Sequence, residues 1–362
     1  EGAAGADPIV MSIDALNVAS RRGDRVKGQA LGSVMGQRAK ASFRGGTLPG
    51  MWRDRVLPFE LDLALADARL RADGALALAG AARDATVRFD LRAARVGDLA
   101  RWLGVSPQAS LPASVRGRVR LSDEAWTLDG TALELGRSRL TMNARSLLVA
   151  GRPGIAASVR GTLIDATELS TLFAGGANGR AATSHAAPAT SAATDWPDAD
   201  IDFQLQRVAL RRTELEDLAF VVRTRDGRLS PLSITGKVVK VPFTANVETD
   251  LRAQPPTASL ALSTGTIDFG ALARGLGVAD DIDGSVQSLQ VDVLGRGRSP
   301  GEWLAHSGLD VRVSGGRLAV RGAAGSTLAE VRVDGARIGA LPGEPLRAWL
   351  DGNIDRTPVS IE

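Results

Sequence analysis

Apolar and polar residues alternate along most of this chain with a period of two. That is the repeat of an extended strand, whose successive side chains point to opposite faces. In "TVRFDLRA", Val87, Phe89 and Leu91 point one way and Arg88, Asp90 and Arg92 the other. In "ASVRGRVRL", Val115, Gly117, Val119 and Leu121 alternate with Arg116, Arg118 and Arg120. The pattern returns at Val241/Phe243/Ala245/Val247, Leu260/Leu262, Leu289/Val291/Val293 and Leu309/Val311/Val313. Asp73-Gly74, Asp129-Gly130, Asp226-Gly227, Gly315-Gly316 and Asp334-Gly335 carry turn chemistry and are expected to separate the runs. The prediction is a mainly β chain, a long antiparallel meander of roughly 18 strands. At a spacing of about 4.8 Å it would extend about 85 Å.

Helical signals are few and short. Residues 97–103 (GDLARWL), 168–173 (ELSTLF) and 270–276 (GALARGL) are candidates. Another starts at "SPGEWLAH", where Ser299 can cap, Pro300 takes the first helical position and Glu302 completes a capping box. A last candidate is "EPLRAWLDG", 344–352. Helices of about two turns can cap a sheet end but cannot cover a sheet.

One element recurs. "FDLRAARVGDLARWLGV", ending at Val105, and "LALSTGTIDFGALARGLGV", ending at Val278, both run from a strand into a short helix. Gly97 matches Gly270, Leu99 matches Leu272 and Leu103 matches Leu276. A looser copy is "TLIDATELSTLF", where Ile164-Asp165 matches Ile267-Asp268. The spacings between copies differ, so this is a recurring element and not a fixed repeat length. Residues 174–194, "AGGANGRAATSHAAPATSAAT", lack periodicity and read as a flexible linker or loop. They divide the chain into a first β segment, 1–173, and a second, 195–362.

Composition narrows the function. Among 362 residues aromatics are 4%, Tyr is absent, and Ala, Leu, Val and Gly dominate, so any core or cavity is lined by aliphatic side chains. There is no Cys, which removes disulfides, thiolate nucleophiles and Cys-ligated metals. The 44 basic residues nearly balance the 41 acidic ones, for a net charge of +3. The arginines are spread out and lack the interleaved aromatics that stack single-stranded bases, so no nucleic-acid partner is expected. No run approaches the ~20 apolar residues of a membrane-spanning helix. The chain opens on Glu1 and closes on the strand-like "TPVSIE", as expected of a piece of a longer protein.

Candidate chemistry is sparse. His185 lies in the linker and His306 ends a predicted helix; both read as solvated or capping groups before metal ligands. "ADDIDG", 279–284, lacks the full acidic spacing and closing Glu of a calcium loop and reads as a turn. Gly295 and Gly297 do not complete a phosphate-binding glycine motif. Glu214 and Glu216 flank Leu215 on what should be a solvated strand face. Trp102, Trp303 and Trp349 sit in predicted helices, where packing onto the sheet end competes with a lipid-facing role. No catalytic residue, metal site or cofactor is called.

The units at 89–105, 155–173 and 260–278, each a strand followed by a leucine-spaced short helix, resemble the AsmA-like family of bacterial envelope proteins. So do "DWPDADIDFQLQRVALRRTELEDLAFVVRTRDGRLSPLSITGKV" (195–237) and "DIDGSVQSLQVDVLGRGRSPGEWLAHSGLDVRVSGGRL" (281–318). The resemblance covers most of the chain and is densest over 195–318, through the order of soft hydrophobic motifs. It implies a periplasmic segment of an inner-membrane-anchored protein of a Gram-negative bacterium, with the anchor outside this sequence. It further implies phospholipid transport to the outer membrane, a role in outer-membrane biogenesis, and phospholipids and envelope assembly proteins as partners. The implied fold is a long curled β-sheet forming an apolar groove, with no catalytic motif to carry over.

Physical reasoning leaves two ways to cover a one-faced apolar sheet. The strands could close into a sandwich with a dry aliphatic core, the arrangement of a structural or assembly factor that modulates outer-membrane protein assembly. Alternatively the sheet could curl into a trough filled by lipid chains. In the second case the acyl chains would lie on Val87, Phe89, Leu91, Val115, Val119, Val241, Phe243, Val247, Leu260, Leu262, Leu289, Val291, Val293, Leu309, Val311 and Val313.

Overall fold

A computed structural model describes residues 11–21, 24–34, 37–47, 49–50, 53, 55–65, 67–77, 84–97, 111–123, 125–149, 151–173, 198–210, 213–225, 228–250, 253, 255–276, 280–297, 306–321, 327–340, 347–354 and 357–361. The chain is mainly β and divides into two compact units, Glu1–Ala192 and Ala193–Glu362. The division falls within the expected linker, whose residues lie outside the described ones.

The first unit is an antiparallel meander. Its strands are β1 (Met11–Ala19), β2 (Arg25–Val34), β3 (Gln37–Thr47), β4 (Val56–Leu65), β5 (Ala68–Ala77), β6 (Ala85–Ala93), β7 (Ala113–Leu121), β8 (Trp126–Leu135), β9 (Ser138–Val149) and β10 (Arg152–Asp165), followed by helix α1 (Ala166–Phe173). Each strand pairs with the next in sequence, all antiparallel. Among the described residues no pairing joins β1 to β10, so this sheet is open. Most neighbours are joined by short connections, as expected when consecutive strands pair directly, while β6 and β7 are separated by residues 94–112.

The second unit repeats the plan with β11 (Asp198–Ala209), β12 (Glu214–Arg225), β13 (Arg228–Leu229), β14 (Leu232–Val238), β15 (Val241–Asp250), β16 (Thr257–Thr264), β17 (Ile267–Asp268), helix α2 (Phe269–Leu276), β18 (Ile282–Arg296), β19 (Gly308–Arg321), β20 (Thr327–Ala340), β21 (Arg347–Ile354) and β22 (Thr357–Ile361). The long strands pair in sequence, with β12 passing to β14 and β16 to β18 around the two-residue strands β13 and β17.

Both helices grow from the recurring Ile-Asp. Asp165 Oδ1 accepts from Thr167 N and Glu168 N, each at 3.0 Å, and so caps α1. Its Oδ2 accepts from Arg137 Nη1 at 3.1 Å, while Glu168 Oε2 accepts from Arg137 N at 2.7 Å, tying the helix to the β8–β9 turn. Asp268 Oδ1 caps α2 by accepting from Ala271 N at 2.9 Å. Gly270 lets that first turn press on β18, where a Cβ would meet Ile282 O at 2.6 Å. Leu272 then joins Val241, Ile267 and Val286 in a small dry cluster, in which Ile267 and Val286 are each 1% exposed.

Several expectations are corrected. Residues 347–352 of the predicted final helix belong to strand β21, which pairs with both β20 and β22. Two flanking ladders outweigh the weak helical preference of a nine-residue window. Trp349 is therefore a strand residue. The helix predicted at 299–306 lies outside the described residues except for His306, as does that at 97–103 except for Gly97, which is helical. Trp102, Trp303 and His185 also lie outside them.

Four of the five expected turn dipeptides lie inside strands. Asp73-Gly74 is within β5, Asp129-Gly130 within β8, Gly315-Gly316 within β19 and Asp334-Gly335 within β20. Gly130 (φ 53°) uses its left-handed conformation for a bulge, where the pairing register skips a residue, and Gly315 (φ 56°) lies opposite Gln287 inside β19 with the register unchanged on either side. A bulge and a tight turn need the same φ, so the dipeptide cannot distinguish them. The fifth, Asp226-Gly227, lies outside the described residues. Conversely, Val239-Lys240 turns β14 into β15 with both residues at positive φ, 49° and 64°, without any glycine or asparagine. Val239 packs against the α2 cluster, which offsets the backbone cost.

Candidate functional site

Directly opposed residues of an antiparallel pair share a face, so the pairing register reads out which residues form continuous rows across each sheet. In the first unit one row crosses all ten strands: Leu16, Ala30, Ala41, Leu63, Leu70, Leu91, Val115, Leu133, Leu140 and Gly161. Nine spacings of about 4.8 Å make it about 43 Å long. A second row on the same face joins Val18, Gly28, Phe43, Leu61, Ala72, Phe89 and Gly117. A third joins Phe59, Gly74, Val87, Val119, Leu128 and Ala144. The five candidates of this unit, Val87, Phe89, Leu91, Val115 and Val119, thus stand on one face in three neighbouring rows.

In the second unit Phe203, Phe220, Ile234, Ala245, Leu262, Val291, Val311, Ile338 and Ala348 form one row. Phe203 and Phe220 stack in it with ring centroids 4.7 Å apart. Beside it run Leu232, Val247, Leu260, Val293, Leu309 and Ala340, and then Phe243, Thr264, Leu289, Val313 and Ala336. Of the eleven candidates here, Val247, Leu260, Leu262, Leu289, Val291, Val293, Val311 and Val313 are half-buried and Leu309 is 37% exposed; Leu289 and Val313 pack against the cluster under α2. Val241 and Phe243 differ, at 8% exposure each. Val241 belongs to the cluster under α2, and a Cβ on Gly236 would stand 3.2 Å from Phe243 Cζ.

Half-burial is the informative property. Leu63, Leu70, Leu91, Val115, Leu133 and Leu140 lie on interior strands, yet each keeps part of its surface open. A large aliphatic residue inside a closed core is normally fully covered. The sequence reading passed over Leu16, Leu61, Leu63, Leu70, Leu133, Leu140, Ile234 and Ile338, although "FELDLAL" at 59–65 carries the same alternation.

The opposite face carries charged residues, and several of its carboxylates are paired with arginines. Asp62 Oδ1 accepts from Arg69 Nε at 2.9 Å and Asp62 Oδ2 from Arg71 Nε at 3.4 Å. The Arg69 hydrogen bond, with the charges of Arg69 and Arg71, holds the Asp62 carboxyl below its ordinary value. Arg92 does the same to Asp90, at 2.9 and 2.7 Å. Asp310 is lowered by Arg337, which donates from Nε at 2.8 Å and Nη2 at 2.9 Å, and by Arg312 at 2.6 Å. Asp283 is lowered by Arg274 at 2.6 Å, helped by Arg321. Such groups stay ionised at neutral pH and are not poised to deliver protons.

Of the remaining candidates, Glu216 lies opposite Lys237, and Asp281 bonds through its carbonyl to Arg321 N at 2.7 Å. Among the described residues no group of three His, Asp or Glu comes close enough to hold a metal ion, and no helix is long and apolar enough to cross a membrane. The charged face of the second unit also carries a hollow of about 1560 Å³ across β16 and β18–β21. Its walls include four of the apolar candidates, Leu260, Val293, Leu309 and Val313, although most of its lining comes from the polar rows.

No family model, curated protein or solved structure matches the chain.

Proposed function

We propose that this chain is a non-enzymatic lipid-binding segment of the bacterial periplasm. Its sheet curls into an apolar groove that holds phospholipid acyl chains between the inner and outer membranes during outer-membrane biogenesis. The observation that carries this reading is the ten-strand row from Leu16 to Gly161, whose interior leucines and valines stay half-buried. Such a row needs a covering of matching chemistry, and the two described helices are too short to supply it. Acyl chains fit. Each buried methylene contributes about 0.8 kcal/mol, so a 16-carbon chain gains more than ~10 kcal/mol on leaving water. Small residues within the rows, such as Ala72 beside Phe89, leave space that bulky rings would fill. Head groups would stay at the margin of the groove, within reach of basic side chains, with the membrane anchor and assembly partners supplied outside this sequence. The arginine-bound carboxylates support binding over chemistry.

A closed scaffold acting through protein contacts has one local observation in its favour, the dry cluster of Val241, Ile267, Leu272 and Val286. That cluster is confined to the end of the sheet beneath α2. Native mass spectrometry of the purified chain tests the choice. Phospholipid adducts lost on delipidation are expected; a lipid-free chain that takes up no added phospholipid would favour the scaffold.

A further inference from the structure

The hollow on the charged face of the second unit has a definite construction. Gln290, Arg312, Arg337 and Trp349 stand side by side in one register row across β18, β19, β20 and β21. The adjacent row is Asp292, Asp310, Gly339 and Arg347. Gly335 and Gly339, on either side of Arg337 along β20, present no side chains, so the face dips there. A Cβ on Gly335 would stand 3.1 Å from Trp349 Cζ3 and 3.3 Å from Cη2, so the six-membered ring lies over that glycine. Trp349 is 41% exposed, on a face that also carries charged and small residues, Gln290 and the exposed Leu294.

We propose that this hollow binds an uncharged oligosaccharide, with Trp349 as the platform for a sugar ring. A pyranose ring presents one face of C–H groups and a rim of hydroxyls. The C–H face suits the electron-rich face of an indole. The hydroxyls need donors and acceptors held in place, and the hollow supplies both from one linked set. Arg312 donates to Asp310 at 2.6 Å and lies 3.9 Å from Asp292. Arg337 grips Asp310 through two hydrogen bonds, at 2.8 and 2.9 Å. This set pre-orients carboxylate oxygens and guanidinium hydrogens at low entropic cost. Its charges nearly balance, with Arg312, Arg337 and Arg347 against Asp292 and Asp310, and Asp310 binds both Arg312 and Arg337, which weakens their pull on an anion. At about 1560 Å³ the hollow is roomier than the ~300–1,000 Å³ typical of small-molecule pockets, which suits several linked rings.

The platform and its polar network use the alternate residues of the strands that carry the lipid-bearing face, although Leu260, Val293, Leu309 and Val313 also border the hollow. The test titrates maltotriose, cellotriose and chitotriose separately into the full chain by calorimetry, following tryptophan fluorescence in parallel. At least one trisaccharide should bind, with affinity falling about tenfold or more in Trp349→Ala and largely kept in Trp349→Phe. Gly339→Phe should also abolish binding by filling the hollow. Its Cβ would meet only Leu309 O at 3.5 Å and Asp310 Oδ1 at 3.9 Å, so the backbone accepts a side chain there, and circular dichroism checks that the variant is folded. Inorganic phosphate and phosphatidylglycerol vesicles should not compete. The proposal is overturned if no trisaccharide binds, if binding survives Gly339→Phe, or if phosphate or vesicles displace the sugar. Phospholipid capture on the other face should be unchanged in these variants, so failure here and failure of the lipid reading are distinguishable.

Discussion

Leu91 and Val115 stand directly opposite each other at the middle of the first sheet, on β6 and β7, and neither is buried. Each has apolar neighbours along its row, Leu70 on one side and Leu133 on the other, but protein covers them only in part. The energetic consequence is specific. Leu91→Ala should cost about 1–2 kcal/mol in urea unfolding of the lipid-free chain, below the ~2–5 kcal/mol typical of a leucine in a closed core. With bound phospholipid the difference between wild type and variant should widen, because the lost methyl groups then also contact acyl chains.

Leu133→Asp should remove phospholipid adducts from the first unit while leaving the chain folded. A half-buried position lets the carboxylate reach water, so the penalty stays near ~1–3 kcal/mol. Circular dichroism checks the fold and native mass spectrometry the lipid. A variant that unfolds outright would mean that this face is packed by protein.

Asp165 holds α1 on two backbone hydrogen bonds and reaches Arg137 with its other oxygen. Asp165→Ala should destabilise the first unit by about 1–2 kcal/mol, the usual range for losing a helix cap. Asp165→Asn keeps an acceptor for Thr167 N and Glu168 N and should recover most of the loss. Equal effects of the two variants would make the Arg137 ion pair the important contact instead.

The charged face sets the acid sensitivity. Asp62 has a folded-state pKa below its unfolded value because of Arg69 and Arg71. Its contribution is therefore present above the unfolded pKa of about 3.9 and is lost as pH falls through the lower folded value. Asp62→Asn should flatten the acid limb of the stability curve in that window. At pH 7 it should cost less than about 1 kcal/mol, since the pair is largely solvated.

The alternation of residues such as Val87, Phe89 and Leu91 was enough to reveal the strands and which side chains share a face, because a period of two is a local property. The two capped helices were legible for the same reason, through Ile164-Asp165 and Ile267-Asp268. What failed was chain reversal. Gly130 and Gly315 looked like turn residues but lie inside long strands, Gly130 at a bulge, while Val239-Lys240 turns the chain with no turn residue at all. Those outcomes depend on which strands pair, and pairing is not local. Trp349 shows the same limit: its helical-looking window became β21 because β20 and β22 flank it. Alternation also could not separate Val241 and Phe243, which protein covers, from Leu262 and Val291, which it leaves partly open.

The lipid-bearing face is tested most directly by photo-crosslinking amino acids placed, one at a time, at Leu91, Val115, Leu262 and Val291, and at Arg88 and Arg118. The last two oppose each other on the charged face. After ultraviolet irradiation in cells, mass spectrometry of the purified chain reads the adducts. Phospholipid adducts at the four apolar positions and none at the two arginine positions are expected. Equal labelling of both faces, or protein adducts alone at Leu91 and Val115, would contradict it.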